Sequence, residues 1–309
     1  MHDEEEHIEA ESSDGFDGDS AYAGSTSGSL TETLASAIAR GVEEHGRTYA
    51  AYGNEGMSQV GIRVWYTNGI DRMADAYPSA EVLGLDIAPV QPQWVPPNCR
   101  FEIDDIEMPW TLDADSFDFI HARDLLLSVR DWPKLIQQSY DHIKPGGYLE
   151  LQCVWPKLKC DDGSAPRESG LMEFSRNALD ASQVLGVPLS ACVDYAEWMT
   201  ATGFEDVTEK RMKMPSSPWP KDKRMKLIGA FEMHNLLRGI SGMSLRMFNK
   251  AYGWSQEQIE LFLVKVRQDI AHLKYHTYFE FVIVHGRKPG GPTTDLPDAP
   301  LLQTPTTHN

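Results

Sequence analysis

The sequence predicts a doubly wound α/β domain, and three stretches between Met73 and Gln152 carry that prediction. Glu81-Val-Leu-Gly-Leu-Asp86 and Phe117-Asp-Phe-Ile-His-Ala-Arg123 are apolar runs that end in polar residues, while Tyr148-Leu-Glu-Leu-Gln152 is opened by the turn residues Lys144-Pro-Gly-Gly147. Short apolar runs separated by helical patterns suit parallel strands, which lie buried on both faces and need long crossover connections. With 309 residues and 41% apolar composition, the chain has ample material for such a core.

Taken in order, residues 1–29 are rich in Asp, Glu, Ser and Gly, too polar to offset the entropy of ordering, and are expected to be a disordered acidic tail. Asp14-Gly-Phe-Asp-Gly-Asp19 alternates Asp and Gly but lacks the twelfth-position Glu of an EF-hand loop. A domain is expected over residues 30–289. From Ser29, an N-cap, Leu30, Leu34, Ile38 and Val42 recur every fourth residue and predict a helix with one apolar stripe, ending near Gly46. Val60–Trp65 reads as a strand, Asp71–Tyr77 as the end of a helix stopped by Pro78, and Glu81–Leu85 as a strand closed by Asp86. Pro89 to Pro97 is too proline-dense for a crossover helix. Arg100–Ile103 is a short strand before Asp104, Asp105 and Glu107.

Phe117–His121 follows as a strand, then Leu125–Ile143 as a helix carrying Trp132, Leu135, Ile136 and Tyr140. Leu171–Leu185 and Tyr195–Thr202 read as helices, and Gly203–Lys210 as an edge strand. A helical insert is expected over residues 222–273, its second helix opened by Ser255 and Gln258 in capping-box spacing. Tyr278–His285 closes the fold, stopped by Gly286-Arg-Lys-Pro289, and residues 290–309 form a second disordered tail.

Charge narrows the function. Of the formal −18, the ten acids of residues 1–39, which contain no Lys or Arg, account for −10, leaving −8 for the rest. An acidic body without a basic stripe is not suited to phosphate contacts, so direct nucleic-acid binding is not expected. Cys99, Cys153, Cys160 and Cys192 have no metal-ligand spacing and read as reduced thiols rather than a metal site or disulfide framework. Without an apolar run of about 18 residues or a basic leader, the expectation is an intracellular protein with no membrane association.

Ligands of open α/β sheets bind beyond the carboxyl ends of the strands. Asp86 can there accept both hydroxyls of an adenosyl ribose, and Asp105 can accept from an adenine amino group while Ile106 packs on the ring. Asp104 and Glu107 read as a solvated turn. His121 and Arg123 end a strand where side chains line the cleft; His121 is either a general base or a packed strand-end residue. Lys144 to Gly147 is a tight structural turn.

Ala76 to Asp86, Pro92-Gln-Trp-Val-Pro-Pro-Asn98, Phe101-Glu-Ile-Asp-Asp105, Phe117 to Arg123, Arg130-Asp-Trp132, Leu149-Glu-Leu-Gln152, Pro218-Trp-Pro220, Gly253-Trp-Ser255 and Tyr278 to Pro289 together resemble the fungal LaeA-like methyltransferases, a similarity that covers about Gly46 to Pro289. The resemblance implies the Rossmann-like, seven-stranded class I methyltransferase sheet, parallel except for an antiparallel terminal strand, with the helical insert over the cleft. It implies S-adenosylmethionine as methyl donor and often a nuclear regulatory complex controlling secondary metabolism, with nucleus or cytoplasm as location. The ribose carboxylate falls on Asp86 with Ile87 beside it, the adenine-side pair on Asp105 and Ile106, and the segment after the next strand on His121, Ala122 and Arg123. Methyl transfer from a sulfonium needs mainly positioning, so no metal is required. The methyl acceptor, protein or small metabolite, and any catalytic residue stay open.

The chain departs from that family at one place. Glycines normally let the backbone approach the methionyl end of the cofactor. Here Val64-Trp-Tyr-Thr-Asn-Gly-Ile-Asp-Arg72 keeps only Gly69, and the first strand is missing or replaced. A misassigned exon or a genuine loss of function would each produce this. Two further readings therefore stand beside the enzyme: a catalytically silent relative kept as an interaction module, and a nicotinamide oxidoreductase, against which the lack of any GxGxxG counts.

Overall fold

The computed structural model describes residues 8–10, 42–44, 47–49, 70, 73–87 and 95–290. Its strands are β1 (Val42–Glu44), β2 (Arg47–Tyr49), β3 (Val82–Asp86), β4 (Cys99–Ile103), β5 (Phe117–Arg123), β6 (Ile143–Lys159), β7 (Glu205–Pro215) and β8 (Tyr278–Arg287). The helices are α1 (Trp132–His142), α2 (Gly170–Val184), α3 (Tyr195–Thr202), α4 (Lys223–Tyr252) and α5 (Gln256–Ile270). β3 and β4 pair in parallel, as do β5 and β6, and β8 runs antiparallel between β6 and β7. The larger sheet is thus ordered β5-β6-β8-β7, with the expected antiparallel closing strand and with β7 at the edge.

Alternation along the strands sorts the faces of this sheet. Leu149, Leu151 and Cys153 of β6 and Val282 and Val284 of β8 are buried. α1 and α3 cover this face: the Trp132 and Tyr195 rings lie 4.6 Å apart, and a side chain at Gly286 would meet Met199 and Phe204. A second apolar centre joins α2, α4 and α5, where Phe248 packs against Phe174, Trp254 and Phe262 at 5.5–6.1 Å between ring centroids. Trp254 and Phe262 are therefore core of the insert, whereas Phe231 is exposed.

Local chemistry sets the helix ends. Asp131 accepts from the Lys134 N–H at 3.0 Å and Pro133 occupies the first turn of α1. Both halves of the capping box expected at Ser255 and Gln258 are formed. α3 stops at Gly203, whose φ of 111° only glycine adopts freely.

Several expectations need correction. The helix expected from Leu125 begins only at Trp132, because the Asp131 cap and Pro133 start it there; the preceding residues form turns. Lys144 to Gly147 is not a turn between helix and strand but lies inside β6, as an irregularity opposite Phe117 and Phe119. A side chain at Gly147 would meet the Asp118 carbonyl at 2.6 Å. β6 and β7 also run well past the predicted ends at Gln152 and Lys210, because β8 supplies a partner beyond both of those ends. The end of the helix expected from Ser29 is extended instead: Val42–Glu44 pairs with Arg47–Tyr49, two residues apart, a hairpin spacing. Ile8 to Ala10, within the expected tail, is docked, Ala10 forming a bridge with Pro220.

The rest of both tails, most of the Leu30 to Val42 stripe, the Val60–Trp65 strand, Gly69 and most of the Pro89 to Pro97 connector lie outside the described residues. Among the described residues, the β3–β4 pair and the four-stranded sheet share no ladder.

Candidate cofactor site

The expected adenosyl side is built where β3 and β4 end. Asp86 closes β3, and its carbonyl accepts from the Asp104 N–H at 3.2 Å, drawing the two strand ends together. Asp86 and Ile87 are half-buried. Asp105 spends one carboxylate oxygen on the Glu107 N–H at 2.9 Å, and its carbonyl accepts from Met108, so the residue anchors a tight turn. Ile106 packs on the core, its carbonyl accepting from Trp110 Nε1 and Gln138 Nε2, both at 3.1 Å.

Glu107 is not a solvated turn residue. Its carboxylate accepts from the Arg130 N–H at 2.7 Å and pairs with the Arg130 guanidinium at 3.3 Å, and its carbonyl accepts from Lys134 Nζ at 2.5 Å. This brace ties the β4 exit to the start of α1. Asn98 was likewise silent in the sequence: its Nδ2 lies 2.9–3.1 Å from the carbonyls of Ala74, Tyr77 and Ala80, closing the helical turn at residues 73–76. Gly84 is needed for contact, since a side chain there would fall 2.5 Å from the Phe101 ring and 3.0 Å from Ile70.

The last residues of β5 and the middle of β6 form a second polar centre. His121 Nδ1 lies 3.0 Å from Glu150 Oε1, and Gln152 Nε2 donates to the same oxygen at 2.8 Å. Glu150 and Gln152 are buried, and Gln152 Oε1 has no partner among the described residues. Arg123 stands 5.2 Å over the Phe281 ring and 3.5 Å from Asp124. Ala122 packs on the core.

Asp124, not singled out by sequence, holds a positive φ of 53° and accepts from the Val154 N–H at 3.0 Å. Such strain in a non-glycine residue at a strand end is common at functional sites. Burial pushes its carboxyl above the ordinary range, against the pull of Arg123 and the Val154 N–H. On α4, burial pushes Glu232 up to about 7, with the charge of Asp124 adding to the rise.

The structure therefore brings Asp86 to Asp105 and Ile106, and His121 to Glu150. Gly69 lies outside the described residues, so the methionyl side is not part of this geometry. The four cysteines are free thiols, three of them buried. No helix among the described residues is long and apolar enough to cross a membrane.

A methyltransferase-domain family model matches residues 69–209. The chain is similar to the secondary metabolism regulator LAE1 of Cochliobolus heterostrophus, 35% identical over 232 residues that cover 74% of each chain. It is also similar to methyltransferase pytC of Aspergillus terreus, 34% identical over 70% of this chain and 67% of that one. The secondary metabolism regulator laeA of Aspergillus niger is 29% identical over 75% of this chain and 61% of that protein.

Proposed function

The chain belongs to the LaeA-like methyltransferase family, and we propose that it takes a methyl group from S-adenosylmethionine bound across the ends of β3 and β4 and passes it to an acceptor in secondary metabolism. The carrying observation is Asp86 closing β3 directly beside the Asp104 to Ile106 turn that closes β4. A half-buried strand-end carboxylate suits a ribose, and the apolar Ile106 beside Asp105 suits the edge and face of an adenine ring. On the side described, the residues fit the cofactor. When bound, the cofactor supplies an activated methyl on a sulfonium, and the protein supplies position and exclusion of water.

In the same reading His121, in β5, is the proton-handling group. Glu150, itself held by the Gln152 amide, holds the ring at Nδ1, and a carboxylate there calls for the proton on Nδ1, leaving Nε2 as the acceptor. In this reading the helical insert covers the cleft and shapes the acceptor's entry. The regulatory names of two relatives support a regulatory role in secondary metabolism; we extend this to action within a protein complex, in the nucleus or cytoplasm, and metabolite profiles of a strain lacking the gene test the physiological side.

Calorimetric titration of the full chain with S-adenosylhomocysteine, the reaction product, tests the binding. Micromolar affinity, about −8 kcal/mol, is expected. Asp86→Ala should lose about 1–3 kcal/mol of it, as for a hydrogen-bond partner removed from a ribose; an unchanged affinity would take Asp86 out of the site. A second reading, a catalytically silent interaction module, is favoured by the single glycine in Val64 to Arg72. It predicts a folded chain that gives no heat at all.

A further inference from the structure

The polar cluster behind the start of α4 is not used by the cofactor reading. Asp161 accepts from Lys213 Nζ at 2.7 Å and from the Tyr278 hydroxyl at 2.6 Å, and Asp162 pairs with His276 at 2.5 Å. The Trp219 ring packs on His276 with centroids 5.0 Å apart, its Nε1 donating to the Thr277 carbonyl. The charged groups of this floor are already paired, so what it presents to a visiting chain is ring surface and the backbone edge of Pro220 and Lys221.

Such a visitor is present. Ala10 forms an antiparallel bridge with Pro220, the Lys221 N–H donates to the Glu9 carbonyl at 2.9 Å, and Lys221 Nζ stands 3.2 Å from the Glu9 carboxylate. Ile8 and Ala10 close a cavity of about 50 Å³ whose other walls include Trp219, Tyr278 and Lys213. The contact joins residues more than 200 apart in the sequence.

Charge fits the same occupant. After its Asp222 cap, whose carboxylate accepts from the Arg224 and Met225 N–H groups, α4 opens with Lys223 and Arg224, which with Lys221 set three cations against that one acid within four residues of Pro220. The sequence around Ile8 to Ala10 is Asp3-Glu-Glu-Glu6 on one side and Glu11 on the other. An exposed ion pair alone contributes little. Backbone pairing fixes the position and the charges set the preference for an acidic chain, the division of labour seen when a peptide adds to a strand edge.

We propose that the Trp219 to Lys221 connector and the first turn of α4 form a docking groove for an extended acidic segment, and that the chain's own Ile8-Glu9-Ala10 occupies it in cis, strapping the N-terminal acidic run to the root of the helical insert. The inference does not depend on cofactor binding.

Hydrogen exchange on the full chain reads the strap at the Lys221 amide, whose acceptor is the Glu9 carbonyl. Ile8→Ser should speed exchange of that amide about tenfold, as for loss of about 1.4 kcal/mol of docking. Glu9→Lys should speed it by a smaller factor, and Glu9→Lys with Lys221→Glu should recover most of the protection. The amides of β6 serve as the folding control and should not move. Equal exchange at Lys221 in the wild type and in Ile8→Ser would overturn the strap. Carbodiimide coupling of Glu9 to Lys221 in a mixture of isotope-labelled and unlabelled copies should give pairs within one copy, and mixed pairs would overturn the cis occupant in favour of a second copy.

Discussion

The β5-β6-β8-β7 sheet and the β3–β4 pair are both strand layers of one chain, yet they are held in different ways. The larger sheet is gripped by α1 and α3 through fully buried side chains such as Ile136, Leu149 and Met199. The smaller pair reaches the rest of the described fold through a few specific contacts: the Glu107 brace to Arg130 and Lys134, the Gln138 bond to Ile106, and, within itself, the Asn98 closure and the Gly84 contact. Among the described residues, the half that carries the proposed ribose carboxylate is thus the lightly braced one. Binding regions are drawn from the low-stability end of a structure because they must open.

Substitutions can break or sharpen this contrast. The largest effect is expected in the larger sheet: Trp132→Ala removes a buried ring packed at a tilt against Tyr195 and should cost about 3–5 kcal/mol, read as a lower urea midpoint for the whole domain. Gly84→Ala forces a methyl against Phe101 and should cost about 1–3 kcal/mol, with faster hydrogen exchange confined to residues 73–103. Should it instead lower the urea midpoint as much as Trp132→Ala, the two regions would be one cooperative unit. Asn98→Ala takes the donor from three carbonyls of the same region and should cost about 1.5 kcal/mol there, measured by the same local exchange.

The smallest effect is a pH dependence. Glu232 has its folded value raised from 4.5 to about 7. Between those values the unfolded chain has released this proton while the folded chain keeps it. Stability from this group therefore falls as pH rises through the window and levels off above it. Partial exposure reduces the effect to about 1 kcal/mol. Glu232→Gln should flatten that part of the stability profile; a profile unchanged by the substitution would show that the side chain is solvated rather than shielded.

The same contrast explains how much was legible in the sequence. β8 shows as an apolar run because burial on both faces writes itself into composition, and β3 and β5 show as apolar runs although Gly84 is the only fully buried residue of the two. The Ser255 to Gln258 box, Gly203 and the edge position of β7 follow from local chemistry. By contrast, the lengths of β6 and β7 depend on β8, more than a hundred residues away from most of β6, and no local pattern reports a distant partner. Lys144 to Gly147 looked like a turn because Pro and Gly usually punctuate, but the backbone there passes close to the Asp118 carbonyl inside a strand.

The site was read unevenly for the same reason. Asp86, Asp105, Ile106 and His121 were singled out because strand ends are where ligands bind; the fold puts Asp86 at the end of β3 and Asp105 and Ile106 just past β4, while His121 lies two residues inside β5. Glu107 and Asn98 were missed because their importance lies in which backbone groups their side chains reach, 18 to 24 residues along the chain. Asp124 could have been noticed as the polar residue directly after the β5 run, although nothing local announces its positive φ.

Hydrogen exchange of the full chain with and without S-adenosylhomocysteine tests the central claim most directly, that the lightly braced β3–β4 region is the cofactor-binding half. The account predicts added protection over residues 82–87 and 99–106 with little change in the core of β6. Saturable binding that leaves residues 82–106 exchanging as before would contradict it.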